Sequence, residues 1–196
     1  MSADIDEGDL LRAQCYGLLA QLLVRPPAQD LLTRVAALRG DDTAFGKALS
    51  RLASAAAESD AVTAEREYFA LFIGVARGEL VPYASYYLTG FLNEKPLARL
   101  RADMQGFGIA RRADVSEPED HIASICEMMA GLILGSFGAP ADLATQRRFH
   151  DRHIAPWAAR FFEDVEKARS AVLYRPVGEV GRLFVAIEAE AFSMSA

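Results

Sequence analysis

Ser116-Glu117-Pro118-Glu119-Asp120-His121-Ile122 is where this largely apolar chain gathers unlike polar groups immediately before a core-facing run. Ser116 with Glu119 three residues later has the spacing of a capping box. Pro118 is tolerated there because first-turn amides have no intrahelical acceptor. A second register puts Glu117 at the cap and Pro118 at the first helical position. Behind either cap, Ile122, Ile125, Met129, Leu132 and Ile133 recur at helical spacing and predict one buried face. Asp120, Ser124, Glu127 and Gly131 fall on another face with His121 beside them, so an imidazole and a carboxylate stand where a helix end can meet a ligand.

The same period extends outward in both directions. Leu10, Leu11, Leu18, Leu19, Leu22 and Leu23 predict a helix stopped by Pro26-Pro27. Leu31, Leu32, Val35 and Leu38 predict a second. Asp42 or Thr43 can cap a third through Phe45, Leu49, Leu52 and Ala56, and Asp60 or Thr63 a fourth that ends near Gly74. Gly78, Pro82 and Gly90 then punctuate an aromatic-rich loop with at most a short helix. Further helices are expected from Pro96 to Met104, Ala141 to His153, Pro156 to Ala168 and Pro176 to Met194. No strand pair with hairpin chemistry is apparent. The expectation is an all-α fold, one helical bundle domain of about nine helices over residues 1–196, with Ala110 to Val115 as a hinge.

Composition narrows the function classes. A net charge of −6 opposes general nucleic-acid binding, which depends on neutralising phosphates with Lys and Arg. No apolar run reaches the length of a membrane span, and the acidic N-terminus lacks the positive region of a secretory signal. A cytoplasmic protein is expected. Cys15 and Cys126 lie far apart within apolar helical patterns and read as buried thiols.

Catalytic and metal chemistry finds little support. Pro118, Arg147 and His150 stand three residues before His121, His150 and His153, so the Glu-x-x-His pairs of a di-metal bundle are missing. Gly40 to Ala48 has the wrong spacing for a phosphate loop, and Gly135-Ser136-Phe137-Gly138 is no nucleophile elbow. Asp120 and His121 are helix neighbours pointing about 100° apart, with no nucleophile evident. Phe69, Leu71 and Phe72 read as core, whereas Tyr83 and Tyr86 suit a core or a peptide-binding surface equally.

Three segments in order resemble the TorD/DmsD family of redox-enzyme maturation chaperones. The first is Glu65-x-x-Tyr68-x-x-Leu71-Phe72-x-Gly74, followed by Pro82-Tyr83-x-Ser85-Tyr86-Tyr87-Leu88. The second is Glu117-Pro118-Glu119-Asp120-His121-Ile122, where the family shows Pro-Asp-His and this chain carries Glu119 in addition. The third is Phe149 with His153, Pro156, Trp157 and Phe161, then Tyr174 and a final helix. Some relatives carry tryptophan after the first segment, where this chain has only tyrosines.

The resemblance implies a cytoplasmic chaperone, not an enzyme; no cofactor and no metal are expected. Its partners would be a twin-arginine signal peptide and the apo-form of a molybdopterin oxidoreductase, which it would help to accept cofactor before export. No nucleic acid or membrane insertion is expected. The chain would be a monomer, with a helix-swapped dimer as the alternative. Such a signal has a basic region and a short apolar region, so its receptor needs carboxylates beside an apolar groove. The residues assigned to peptide binding are Leu71, Phe72, Gly74, Pro82, Tyr83, Ser85, Tyr86, Glu117, Pro118, Asp120, His121 and Glu127. Two alternatives remain, a nucleotide hydrolase and an assembly factor of nitrate-reductase type whose client stays inside.

Overall fold

The computed structural model describes residues 5–111 and 117–194. In chain order its helices are α1 (Glu7–Leu23), α2 (Gln29–Ala36), α3 (Ala44–Ala57), α4 (Ala61–Tyr68), a π-helical turn (Phe69–Ile73), α5 (Ala84–Thr89), α6 (Lys95–Gly106), α7 (Ile122–Leu134), α8 (Leu143–His153), α9 (Ala158–Lys167) and α10 (Tyr174–Met194). The all-α expectation holds. Among the described residues the only β-type pairing is one isolated antiparallel bridge, between Tyr83 and His121. The chain divides into two compact units, residues 1–24 with 82–157, and residues 25–81 with 158–196. Of the expected hinge Ala110 to Val115, residues 112–115 lie outside the described residues, and the unit boundaries fall elsewhere.

In the first unit α7 is the central element. Ala123, Cys126, Met128, Ala130 and Gly131 are buried along with Ile122, Ile125, Met129, Leu132 and Ile133, so the helix is covered on nearly every side. Small residues allow this. Gly131, expected on the polar face, is buried because the Phe137 ring sits where a Cβ would be, 2.4 Å from that position. Helix α1, on which Tyr16, Leu19 and Leu22 are buried, packs along α7, and α8, on which Phe149 is buried, packs on it as well. Each fully buried Leu or Phe stabilises such a core by about 1.5–3 kcal/mol.

The start of α7 differs from the expected capping box. His121 is the N-cap, its Nδ1 accepting from the Ala123 amide at 3.1 Å, and helical geometry begins at Ile122. Ser116 lies outside the described residues. Glu119 does not reach back to a cap because it is held by Arg101 at 2.8 Å and Arg111 at 3.2 Å. Burial raises the Glu119 pKa, but the Arg101 hydrogen bond, a backbone hydrogen bond and the charges of Arg101 and Arg111 together outweigh it and leave the carboxyl below its ordinary value.

In the second unit α10 packs against α9 and α3, and α2 against α3. Phe162 of α9 approaches α10 so closely that a Cβ at Gly181 would meet its ring at 2.3 Å. Thr43 and Asp60 cap α3 and α4, accepting from Gly46 and Thr63 amides at 3.0 and 2.7 Å. Helix α4 does not run unbroken to Gly74. It widens into the π turn, closed by a bond from Gly74 N to Phe69 O at 2.6 Å. Gly74 has φ +63 and ψ 178, and a Cβ there would fall 2.1 Å from the Arg77 carbonyl oxygen. Only glycine fits that corner.

Candidate functional site

Two short segments of the first unit are joined backbone to backbone. Ile122 N donates to Pro82 O at 2.9 Å, and Ala84 N donates to Asp120 O at 3.0 Å. Between them Tyr83 and His121 face each other, ring centroids 5.1 Å apart at 77°. Segments 35 residues apart in sequence thus form one edge. It carries Pro82, Tyr83, Ser85, Pro118, Asp120 and His121, and the Tyr83 hydroxyl donates to the exposed Glu117 carboxylate. Tyr86 is half-buried on α5, one turn beyond Tyr83.

Burial sorts these residues into two roles. Glu117 is exposed, Tyr83 and Pro118 are half-buried, and these three can meet a partner. Asp120 was expected to present its carboxylate, but it has no exposed surface. Its Oδ2 accepts from the Ser85 amide at 2.8 Å, while Oδ1 has no hydrogen-bond partner among the described residues. It borders a cavity of about 30 Å³ lined also by Ala84, Leu88, Leu100, Arg152 and His153. That is room for one or two waters.

His121 is a buried cap, and burial pushes its pKa down to about 4. It is therefore neutral at physiological pH. Because Nδ1 accepts from Ala123, the ring proton is assigned to Nε2. Glu127 is exposed on α7, about 7 Å along the axis from the helix start at 1.5 Å per residue.

Three assigned residues, Leu71, Phe72 and Gly74, belong to the second unit. Leu71 is wholly buried and cannot line a groove. Phe72 packs its ring on Tyr68 and Tyr174, with centroids 5.0 and 5.3 Å away. The core reading was right for these two and wrong for Phe69, which is 48% exposed. The π turn accounts for the difference, because the widened turn rotates the residues after Tyr68 relative to a continuous α-helix. Gly74 shapes the corner rather than a contact.

Sequence reasoning missed Glu67. Its Oε1 accepts from Val172 and Tyr174 amides at 2.8 and 2.7 Å and its Oε2 from Leu173 at 3.0 Å, so a buried carboxylate of α4 caps α10. The available signal was a carboxylate on the apolar stripe of Ala64, Tyr68 and Leu71, a place where charge is seldom buried without partners. The histidines of α8 each meet a different aspartate. His153 Nε2 meets Asp103 Oδ2 at 2.7 Å, Arg152 holds the other oxygen at 3.0 Å, and His150 Nδ1 lies 3.2 Å from Asp151. No group of three or more His, Cys, Asp or Glu side chains among the described residues is placed to hold a metal.

The fold defines an all-helical protein with one bridged edge in its first unit. A solved structure of a proposed redox enzyme maturation protein from Archaeoglobus fulgidus superposes with a TM-score of 0.62 at 22% identity, covering 90% of this chain and 94% of that one. The chain belongs to the TorD family of redox-enzyme maturation chaperones, since the family model described as nitrate reductase delta subunit matches residues 38–163. A chaperone protein TorD of Vibrio vulnificus is 30% identical over 160 residues, 72% of this chain and 73% of that protein. One of Photobacterium profundum is 37% identical over 70 residues, 35% of this chain and 32% of that protein. The match with the latter therefore spans about a third of its length. Among the described residues no helix is long and apolar enough to cross a membrane.

Proposed function

We propose that this chain is a cytoplasmic chaperone without turnover that binds the twin-arginine signal peptide of a molybdopterin oxidoreductase and assists cofactor insertion before export. The observation that carries the reading is the exposed Glu117 carboxylate tied to the Tyr83 hydroxyl at the bridged edge. A guanidinium pair suits a carboxylate flanked by an aromatic ring, because its planar fork can hydrogen-bond one and stack on the other. Apolar contact for the rest of the signal comes from Tyr86 and from Leu88, Phe91 and Leu92, which are 43%, 69% and 47% exposed on and just after α5. Family membership supports the same reading.

The test is fluorescence anisotropy of a labelled twin-arginine signal peptide against the same peptide with its arginines scrambled. Only the first should bind, and nucleotide turnover by the pure protein should stay at background. Equal binding of both peptides, or turnover above background, contradicts the reading. A second reading is favoured by the description of the matching family model, in which the client is a nitrate-reductase-type enzyme that stays inside. It predicts instead that a client N-terminal peptide lacking paired arginines binds as well.

A further inference from the structure

We propose that Asp120 is a positioning residue: its carboxylate latches the first turn of α5 from the entry of α7 and so sets Tyr83, Tyr86 and Tyr87 at the binding edge, without itself receiving the partner's guanidinium. The proposal rests on the peptide-binding reading and assigns the aspartate of that edge a different task from the one its charge suggests.

Helix α5 needs such a latch. It has six residues, too few to hold helical geometry in isolation, and its N-cap Tyr83 supplies no side-chain acceptor for the first-turn amides. Asp120 supplies it from outside, through Oδ2 to Ser85 N at 2.8 Å, while its backbone oxygen takes Ala84 N at 3.0 Å. Two buried amides of that turn, those of Ala84 and Ser85, are therefore satisfied by one residue. The carboxylate has no exposed surface, and the cavity beside its free oxygen, about 30 Å³, is smaller than a guanidinium needs. Arg99 and Arg152 line that cavity too, an unfavourable setting for an incoming cation. The second unit uses the same device, since Glu67 of α4 accepts the amides that open α10.

The fold contains its own reporter. Trp157 is the single tryptophan, is 2% exposed, and packs on Tyr87 of α5 with centroids 5.5 Å apart. Release of α5 from the latch would change the surroundings of that indole.

The experiment compares full-length Asp120→Asn and Asp120→Ala with the wild type by Trp157 emission, by amide exchange over residues 84–89 and by calorimetric titration with a synthetic twin-arginine signal peptide. Asparagine keeps an oxygen for Ser85 N and removes the charge. It should leave emission and exchange unchanged and affinity within about twofold of wild type, whereas alanine should lower α5 protection and peptide affinity about tenfold or more, the scale of a lost buried hydrogen bond. Asparagine losing affinity with emission unchanged would show a direct charge contact and overturn the proposal. So would alanine leaving α5 exchange unchanged. If Asp120→Ala does not fold, the asparagine variant decides by the same criteria. If the wild type itself does not bind the peptide, the peptide-binding reading fails, and emission and exchange still decide whether the latch exists.

Discussion

Glu67 Oε2 accepts the Leu173 amide at 3.0 Å across 106 residues of sequence, and with the bonds to Val172 and Tyr174 it fixes where α10 begins. Three amide donors around one buried carboxylate replace the water they lose, and they match the positive end of the helix dipole. Glu67→Ala strands those donors in a site that is 8% exposed. It should destabilise the protein by about 3–5 kcal/mol, and Glu67→Gln by roughly half as much because one acceptor oxygen survives. Urea unfolding of both variants measures the difference.

His121 makes stability depend on pH. Its pKa is lowered by burial from 6.5 to about 4, so between those values the unfolded chain binds a proton that the folded chain excludes. Stability from this group is therefore complete above about pH 6.5 and falls as the pH drops toward 4, by on the order of 3 kcal/mol in total. Burial lowers the His153 pKa in the same sense, partly opposed by Asp103. His121→Asn keeps a good N-cap acceptor and cannot titrate. Melting temperatures across this range should decline less steeply for the variant than for the wild type.

Two glycines with positive φ should respond differently to alanine. Gly90 has φ +83 with nothing within 4 Å of a built Cβ, so Gly90→Ala meets only the left-handed penalty, about 1–2 kcal/mol. Gly74→Ala adds a clash 2.1 Å from the Arg77 carbonyl oxygen, and it should cost about 3 kcal/mol or more. Thermal unfolding of the pair checks the ordering.

Cys126 should be inert. Burial, with a smaller contribution from the Glu127 charge, pushes its thiol up to about 12. A thiol reagent applied to the folded protein should modify the half-buried Cys15 first, and peptide mapping would show which cysteine reacted.

How much of this was legible in the sequence follows from the range of each interaction. Helical periodicity is local, so the spacing of Ile122, Ile125 and Met129 already specified a buried helix and the run after Asp60 a fourth one. The start of α7 was misplaced because Glu119 is claimed by Arg101 and Arg111, partners that local cap rules do not include. The pairing of residues 82–85 with 120–122 was visible only as two segments of a family pattern, since nothing local says that they touch. Leu71 was assigned to a groove through the resemblance although its helical spacing already read as core, and the π turn that exposes Phe69 has no spacing signature. Asp120 was chosen for its charge, whereas its position depends on a backbone amide 35 residues away.

The central claim, that the Tyr83–Glu117 edge receives paired arginines, is tested most directly by a double-mutant cycle in which Glu117→Gln is crossed with replacement of both peptide arginines by glutamine, read by calorimetric titration. Contact between the two predicts a coupling of about 1–3 kcal/mol, lower than for a fully desolvated ion pair because Glu117 is exposed. Additive effects in a folded Glu117→Gln protein, with zero coupling within error, would contradict it.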